Sequence, residues 1–177
     1  VNDLGQGYVH IYTGNGKGKT TAALGLALRA SGAGLSTLIL QFMKGQHYSE
    51  IDAVKQFSPL ITIEQYGSRE FCRPDDENLP HHIELAQKGY SRARQSIADG
   101  NHALIILDEI VTAHLFHLIS LNEIRQLIDL KNPSMELVLT GRGAPQELID
   151  ICDLVTEMKE IKHYYTKGVL SRKGIEN

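Results

Sequence analysis

Short apolar runs alternate with longer segments of helical periodicity along the whole chain. Six runs predict β-strands, at residues 9–12, 37–42, 60–63, 103–107, 136–139 and 154–158. The fourth run is apolar without interruption, and the sixth is the weakest. Strands that are buried on both faces read as continuous apolar runs, because neither set of alternate side chains faces water. The pattern therefore predicts a sheet that is covered on both sides.

Four segments between these runs have the spacing of helices, at residues 20–30, 79–98, 120–130 and 145–151. Gly100 can end the second helix. Ser120 and Glu123 have the spacing of a capping box at the start of the third, and Pro145 suits the first turn of the fourth. The alternation predicts an α/β fold of three layers, with a mostly parallel sheet of about six strands and helices on both faces. We expect one domain over residues 1–177, with residues 159–177 as an irregular C-terminal tail.

Composition narrows the class of protein. A chain of 177 residues, with 42% hydrophobic and 22% charged residues, can bury a core without disulfides. The formal net charge of −3 argues against a nucleic-acid partner held by a basic face. The start is short and polar and no apolar run is long enough to span a membrane, so we expect no membrane association. Cys72 and Cys152 form no C-x-x-C pair, which favours a reducing cytoplasm, and the eight histidines form no metal-binding pattern.

The strongest chemical signal directly follows the first predicted strand. From Thr13 to Thr21 the chain reads Thr-Gly-Asn-Gly-Lys-Gly-Lys-Thr-Thr, a variant of the phosphate-loop pattern G-x-x-x-x-G-K-[ST] with Thr13 at the first glycine position. The glycines let the backbone aim N–H groups inward, and the helix N-terminus adds positive potential. We expect phosphate contacts from the loop residues Gly14, Asn15, Gly16, Lys17, Gly18, Lys19, Thr20 and Thr21. Lys17 is equally compatible with a solvated loop charge, and a glycine-rich turn without a ligand is the alternative for the whole segment.

Metal-binding candidates lie in the loop and after the fourth strand. The Thr20 hydroxyl can bind Mg²⁺ or Mn²⁺. Asp108 and Glu109 end the continuous apolar run, and in a parallel sheet that end faces the ligand. We expect both carboxylates to bind the metal directly or through water, although a charge at a helix N-terminus also explains Glu109.

Two arginines are further candidates for nucleotide contact. Arg142 follows the fifth strand in the segment Thr-Gly-Arg-Gly, where its fork of donors can bind phosphate. A surface turn is the alternative. Arg29, at the end of the first helix, is equally compatible with a nucleotide contact and with a solvated helix end.

Taken together, these segments resemble one family. The phosphate loop at residues 14–23 closely resembles that of the corrinoid adenosyltransferases, which act on ATP and cob(I)alamin or cob(I)yrinic acid a,c-diamide. Residues 107–110, 139–145 and 153–158 are similar to that family as well, and so are tail residues 160–163, 167–168 and 172–176. The resemblance runs from about Tyr8 to Glu176, and it implies a P-loop NTPase-like (RecA-like) domain.

The resemblance also implies a reaction. A cobalt(I) corrinoid attacks the 5′ carbon of ATP, triphosphate leaves, and ATP is bound with its phosphate order reversed relative to most phosphate-loop proteins. Lys19 and Glu109 would be catalytic, with Arg29 and Arg142 as nucleotide contacts and Thr20, Asp108 and Glu109 as metal residues. An electron-donating reductase is implied as a partner, and a homodimer is possible. A small-molecule kinase on the same scaffold, or a non-catalytic ATP- or corrinoid-binding module, are the alternative functions.

One segment departs from the family. Some members carry a Gly-Phe-Thr-Trp stretch whose Phe and Trp help to displace the lower cobalt ligand. Here residues 67–73 read Gly-Ser-Arg-Glu-Phe-Cys-Arg, and the chain contains no Trp. Phe71 is the candidate for the catalytic Phe role, and Arg73 stands at the Trp position. This difference implies altered corrinoid placement or substrate preference, or a member that has lost the activity.

Overall fold

One sheet runs through the molecule. The computed structural model describes residues 4–70, 72 and 77–177. Its strands are β1 (Val9–Thr13), β2 (Thr37–Phe42), β3 (Ile61–Tyr66), β4 (Leu104–Asp108), β5 (Glu136–Thr140) and β6 (Leu154–Glu157). They lie in the order β3-β2-β4-β5-β1-β6, and each neighbouring pair is parallel. The predicted α/β class and its sheet of about six strands are confirmed.

Helices follow most of the strands. They are α1 (Lys19–Gly32), α2 (Ser49–Val54), α3 (Leu79–Asp99), α4 (Ile110–Leu115), α5 (Leu121–Leu130) and α6 (Gln146–Ile149), with 3₁₀ turns at Lys55–Phe57 and Tyr164–Lys167. Within the described residues, no helix combines the length and the apolar character needed to cross a membrane.

Hydrophobic side chains are buried on both faces of the sheet. Along β2, Leu40 and Phe42 pack in a cluster that includes residues of α3, α4 and α5, whereas Ile39 packs in a second cluster with α1 and α2. The buried apolar residues of α1 are alanines at positions 23, 27 and 30, whose small size lets the helix lie close to the sheet. The predicted three layers are confirmed.

The local signals at helix ends are mostly confirmed. Ser120 caps α5 in a reciprocal capping box with Glu123, in which the Ser120 Oγ accepts from the Glu123 N–H at 3.2 Å and Glu123 Oε2 accepts from the Ser120 N–H at 2.7 Å. Gly100 ends α3 in the left-handed conformation. Pro145, by contrast, is the N-cap residue of a shorter α6 rather than its first helical residue. Pro145 therefore lies just outside the helix, since its ψ of 153° is extended.

Strand order determines what can meet at the carboxyl edge of the sheet. Because β5 lies between β1 and β4, the strand ends at Thr13, Thr140 and Asp108 are neighbours. On the other side of β4, Gln41 of β2 is paired in register with Asp108. The phosphate loop, which joins β1 to α1, opens onto this row of polar strand ends.

The tail also lies on this edge. After β6, the Met158 N–H donates to the Thr13 carbonyl at 2.8 Å, and the Lys17 ammonium donates to the Ile175 carbonyl at 2.9 Å. Within the tail, the Glu176 carboxylate accepts from the Tyr164 hydroxyl and pairs with Arg172 at 3.1 Å. Apart from the 3₁₀ turn at Tyr164–Lys167, residues 159–177 have no regular secondary structure.

Candidate nucleotide and metal site

A cavity of about 490 Å³ opens at the carboxyl edge of the sheet. This volume is in the usual range of small-molecule sites. Its walls come from the phosphate loop, the α2 region, the end of β4, the loop after β5 and the tail. The lining residues are Asn15, Gly16, Lys17, Gly18, Lys19, Thr20, Thr21, Leu24, Lys44, Tyr48, Ser49, Glu50, Glu109, Arg142, His163, Gly174, Ile175, Glu176 and Asn177.

Lys19 is folded back over the phosphate loop. Its ammonium donates to the carbonyls of Gly14 and Gly16, each at 2.8 Å, and the residue is buried. Burial lowers the pKa of Lys19 below its ordinary value, although the nearby Glu109 carboxylate acts in the opposite direction. The ammonium is therefore held above the loop at the start of α1, where an anion would also meet the helix N-terminus.

The loop is packed against the strand β6 and the residue that follows it. The Gly16 N–H donates to the Met158 carbonyl at 2.7 Å, and a Cβ at Gly16 would stand 2.6 Å from that same oxygen. Glycine is thus required at this position by a chain crossing. One N–H group of the loop is also bonded to Met158.

Asp108 is the centre of a buried hydrogen-bond network and is 1% exposed. Its Oδ1 accepts from the hydroxyls of Thr20 at 2.9 Å and Thr140 at 2.8 Å. Its Oδ2 accepts from the Lys44 ammonium at 2.8 Å and the Gln41 amide at 3.2 Å. Since the Thr20 hydroxyl gives its proton to Asp108, its oxygen has lone pairs suited to a metal ion, and the Lys44 ammonium lies 3.4 Å from that oxygen.

Glu109 turns away from the sheet and into the cavity. Its φ of 63° is left-handed, which is uncommon for a residue with a Cβ and occurs preferentially at functional sites. The Glu109 N–H donates to the Thr140 hydroxyl at 2.9 Å, and the Glu109 carboxylate accepts from the Thr112 hydroxyl. The two neighbouring carboxylates therefore lie in different places. Asp108 is buried beneath the site, and Glu109 lines the cavity.

These oxygen atoms suit a magnesium or manganese ion. Within the described ranges, no three His, Cys, Asp or Glu side chains form a metal-binding group. Magnesium, however, is commonly bound through one or two carboxylates with water and substrate phosphates completing its coordination. The Thr20 hydroxyl and the Glu109 carboxylate at the cavity surface, with Asp108 behind, fit that kind of site.

Of the other predicted nucleotide contacts, Arg142 and Lys17 line the cavity and Arg29 does not. Arg142 is exposed and lines the cavity, and its backbone N–H donates to the Thr112 hydroxyl at 2.9 Å. Lys17 also lines it, with its ammonium on the Ile175 carbonyl of the tail. Arg29 lies in the last turn of α1, about 15 Å along the helix axis from Lys19. Phe71 and Arg73 lie outside the described residues.

The sequence did not single out Lys44. It follows β2, lines the cavity, and has a side chain that is only 15% exposed. Burial alone would lower the pKa of Lys44, but the carboxylates of Asp108, Glu109 and Glu50 outweigh burial and raise it. One sequence feature points to the end of β2 as part of the site. Gln41 is a polar residue within an otherwise apolar run, and the strand register places it beside Asp108.

The similarity of this chain to known proteins includes all the residues that line the site. Residues 5–177 match the family model described as ATP:corrinoid adenosyltransferase BtuR/CobO/CobP. A corrinoid adenosyltransferase of Sinorhizobium sp. is 32% identical, over 97% of this chain and 80% of the relative. One of Pseudomonas aeruginosa is 30% identical, over 97% of this chain and 84% of the relative. An uncharacterized protein of Nostoc sp. is 37% identical over 89% of this chain, which spans 45% of that relative's length.

Proposed function

The chain belongs to the ATP:corrinoid adenosyltransferase family, and we propose that it transfers the 5′-deoxyadenosyl group of ATP to the cobalt(I) of a corrinoid, releasing triphosphate. The observation that carries the proposal is the cavity. It is lined by the phosphate loop with Lys19 and Thr20 and by Glu109 at the end of β4. The corrinoid would be cob(I)yrinic acid a,c-diamide or cob(I)alamin, in the biosynthesis or salvage of adenosylcobalamin.

The proposed step has a simple electron balance. The cobalt(I) electron pair forms a cobalt–carbon bond at C5′, the C5′–oxygen bond breaks, and its electrons leave with the triphosphate. Cobalt is formally oxidised to cobalt(III). No proton is removed from the nucleophile, so the reaction requires no general base.

Charge on the leaving group is what the protein must stabilise. Lys19 lies over the loop, and Arg142 lines the same cavity, so both can donate to triphosphate oxygens. Thr20 and Glu109 would hold Mg²⁺ or Mn²⁺, with Asp108 orienting the Thr20 hydroxyl. Such an ion, when bound, supplies a Lewis acid that neutralises phosphate charge.

The orientation of ATP is part of the proposal. Enzymes that transfer the γ-phosphoryl group need only the terminal phosphate exposed to the acceptor. Attack at C5′ requires the whole triphosphate to be gripped as one leaving group, with the 5′ carbon open to cobalt. A reversed phosphate order on the loop from Asn15 to Thr21 meets that requirement.

Further partners follow from the chemistry of cobalt. Cobalt(I) is strongly reducing, so the proposal includes an electron-donating reductase that supplies it, and a reducing cytoplasm as the compartment. A homodimer remains a prediction from the family resemblance.

The direct test is an adenosylation assay. The protein is incubated with ATP, Mg²⁺ and chemically reduced cobalamin or cobyrinic acid diamide, and the cobalt–carbon product is followed by its visible spectrum. Phosphorus NMR identifies the released phosphate. We expect adenosylated corrinoid with intact triphosphate. Formation of ADP and a phosphorylated acceptor would instead indicate a kinase, and tight binding without turnover would indicate a binding module.

A further inference from the structure

We propose that Lys44 is a second triphosphate-binding cation, which neutralises Asp108 while no divalent metal is bound and moves to the triphosphate when a metal ion takes its place. The inference rests on the proposed function in one respect, because it assumes a metal-bound triphosphate in the cavity. It gives a role in the reaction to a residue outside the phosphate loop.

The main chain of Lys44 is fixed in place. The loop after β2 crosses the turn at Gly67 so closely that a Cβ on Gly67 would stand 2.3 Å from the Lys44 backbone nitrogen. The preceding Met43 N–H donates to the Tyr66 carbonyl at 3.2 Å. Any movement of the charge must therefore occur in the side chain, whose flexible four-carbon stem allows it.

The Lys44 ammonium occupies the place where a metal ion would act. It lies 2.8 Å from Asp108 Oδ2 and 3.4 Å from the Thr20 hydroxyl oxygen, and that hydroxyl is the proposed metal ligand. A buried carboxylate needs a positive partner, and the ammonium provides it in the absence of metal. A divalent ion on Thr20 would stand close to the ammonium, and like charges at that distance repel strongly.

A displaced ammonium has two acceptors within reach. One is Glu50, whose carboxylate is already 3.9 Å away. The other is the triphosphate in the cavity that Lys44 lines, which carries several negative oxygens. The triphosphate has the larger charge, so it is the expected partner. The ammonium also lies 5.2 Å from the centre of the Tyr48 ring, which lines the same cavity.

Lys44 would then act at a different stage from Lys19. The Lys19 ammonium donates to loop carbonyls, so it can bind a phosphate without first leaving a carboxylate. Lys44 is bonded to a carboxylate and is released only when a metal ion replaces it. Metal binding would therefore release the Lys44 ammonium to bind the triphosphate leaving group.

The test compares two binding reactions of the Lys44→Gln variant, whose amide can still donate to Asp108. Free Mn²⁺ is followed by electron paramagnetic resonance, first without other ligand and then with inorganic tripolyphosphate. We expect the variant to bind Mn²⁺ alone about tenfold more tightly, because the competing charge is gone, and to bind tripolyphosphate in saturating Mn²⁺ about tenfold more weakly. Lys55→Gln is the matched control, since Lys55 is 68% exposed and pairs with Asp52 outside the cavity, and should change neither.

The opposite signs distinguish this role from a structural one. If Lys44 only kept Thr20 and Asp108 in place, both affinities would fall in Lys44→Gln, and that result or an unchanged tripolyphosphate affinity would overturn the proposal. Should Lys44→Gln not fold, Asp108→Asn provides a background without the buried charge. Adding Lys44→Gln to that background must still weaken tripolyphosphate binding, and no change there refutes the idea. Both probes work without a corrinoid, so failure of adenosylation is read separately.

Discussion

At the scale of single residues, Thr140 joins the carboxylate of Asp108 to the backbone of Glu109. Its hydroxyl donates to Asp108 at 2.8 Å and accepts from the Glu109 N–H at 2.9 Å, and the residue is fully buried. Thr140→Val keeps the shape but removes both bonds, leaving a buried donor and acceptor without this partner. We expect the free energy of unfolding to fall by about 1–3 kcal/mol, measured by denaturant titration.

Thr156 offers a matched control for this prediction. It is also a threonine in a strand, in β6, but it is exposed. Thr156→Val should change stability by no more than about 0.5 kcal/mol. Equal losses in the two variants would mean that the network around Asp108 contributes nothing measurable.

Lys19 carries the prediction most directly tied to the reaction. Lys19→Ala removes the ammonium that lies over the loop, and we expect ATP affinity to fall by at least about tenfold and turnover to be abolished. Isothermal titration with Mg²⁺ and ATP measures the first effect, and the adenosylation assay the second. Lys17→Ala should retain most of the affinity, because the Lys17 ammonium is bonded to the Ile175 carbonyl. Near-normal turnover in Lys19→Ala would refute the role of the loop.

Some site residues could be predicted from the sequence, and others are brought to the site only by the order of the strands. Lys19, Thr20, Asp108 and Glu109 were predicted because each lies within a local pattern, and the structure brings all four together at one edge. The contribution of Lys44 depends on β2 being the neighbour of β4, and no local pattern specifies that neighbour. The same holds for Thr140, which reaches Asp108 only because β5 lies between β1 and β4.

At the scale of secondary-structure elements, the phosphate loop and the residue after β6 behave as one unit. The Gly16 N–H is bonded to the Met158 carbonyl, and a side chain at Gly16 would collide with that oxygen. Gly16→Ala must push the two segments apart. We expect ATP affinity to fall by at least about tenfold, because the loop loses its support, and limited proteolysis to cut the tail faster.

Gly25→Ala is the control for that variant. Gly25 lies within α1, and a Cβ there meets no atom within 4 Å. Replacing it should leave ATP affinity unchanged and stabilise the helix by about 0.5–1 kcal/mol, since glycine is a poor helix former. If both variants bound ATP like the unmodified protein, close packing between Gly16 and Met158 would not matter for the site.

Elements differ in how well their sequences specify them. The strands were predictable, since buried parallel strands are continuous apolar runs, but β3 extends to Tyr66 beyond its predicted end. Its polar extension is stabilised by Glu64, whose Oε1 accepts from Arg92 Nη2 of α3 at 2.9 Å and whose Oε2 accepts from Arg92 Nε at 3.0 Å. The helices α2 and α4 were missed because six residues are too few to show a 3.6-residue period.

At the scale of the whole molecule, the site is a property of strand order rather than of any segment. The sheet places β1, β5, β4 and β2 side by side, so the phosphate loop, Thr140, Asp108 and Lys44 share one edge although they are distant in sequence. The tail then returns to cover the same edge through Lys17 and Ile175. A ligand that contacts all these walls must couple them, because it binds only the arrangement in which they are together.

This coupling predicts how the molecule responds to triphosphate. With Mg²⁺ and inorganic tripolyphosphate at a hundred times the dissociation constant, stability should rise by about 2.7 kcal/mol. Hydrogen exchange followed by mass spectrometry should show the largest added protection at residues 13–21, 43–50, 108–112 and 174–177, which contain or adjoin lining residues. Helix α5 contributes no lining residue and should gain only what the global stabilisation gives. At the same tripolyphosphate concentration Lys19→Ala should gain no more than about 1.4 kcal/mol, because its affinity is at least about tenfold lower. Protection confined to residues 13–21 would mean that the loop binds phosphate without engaging the remaining walls.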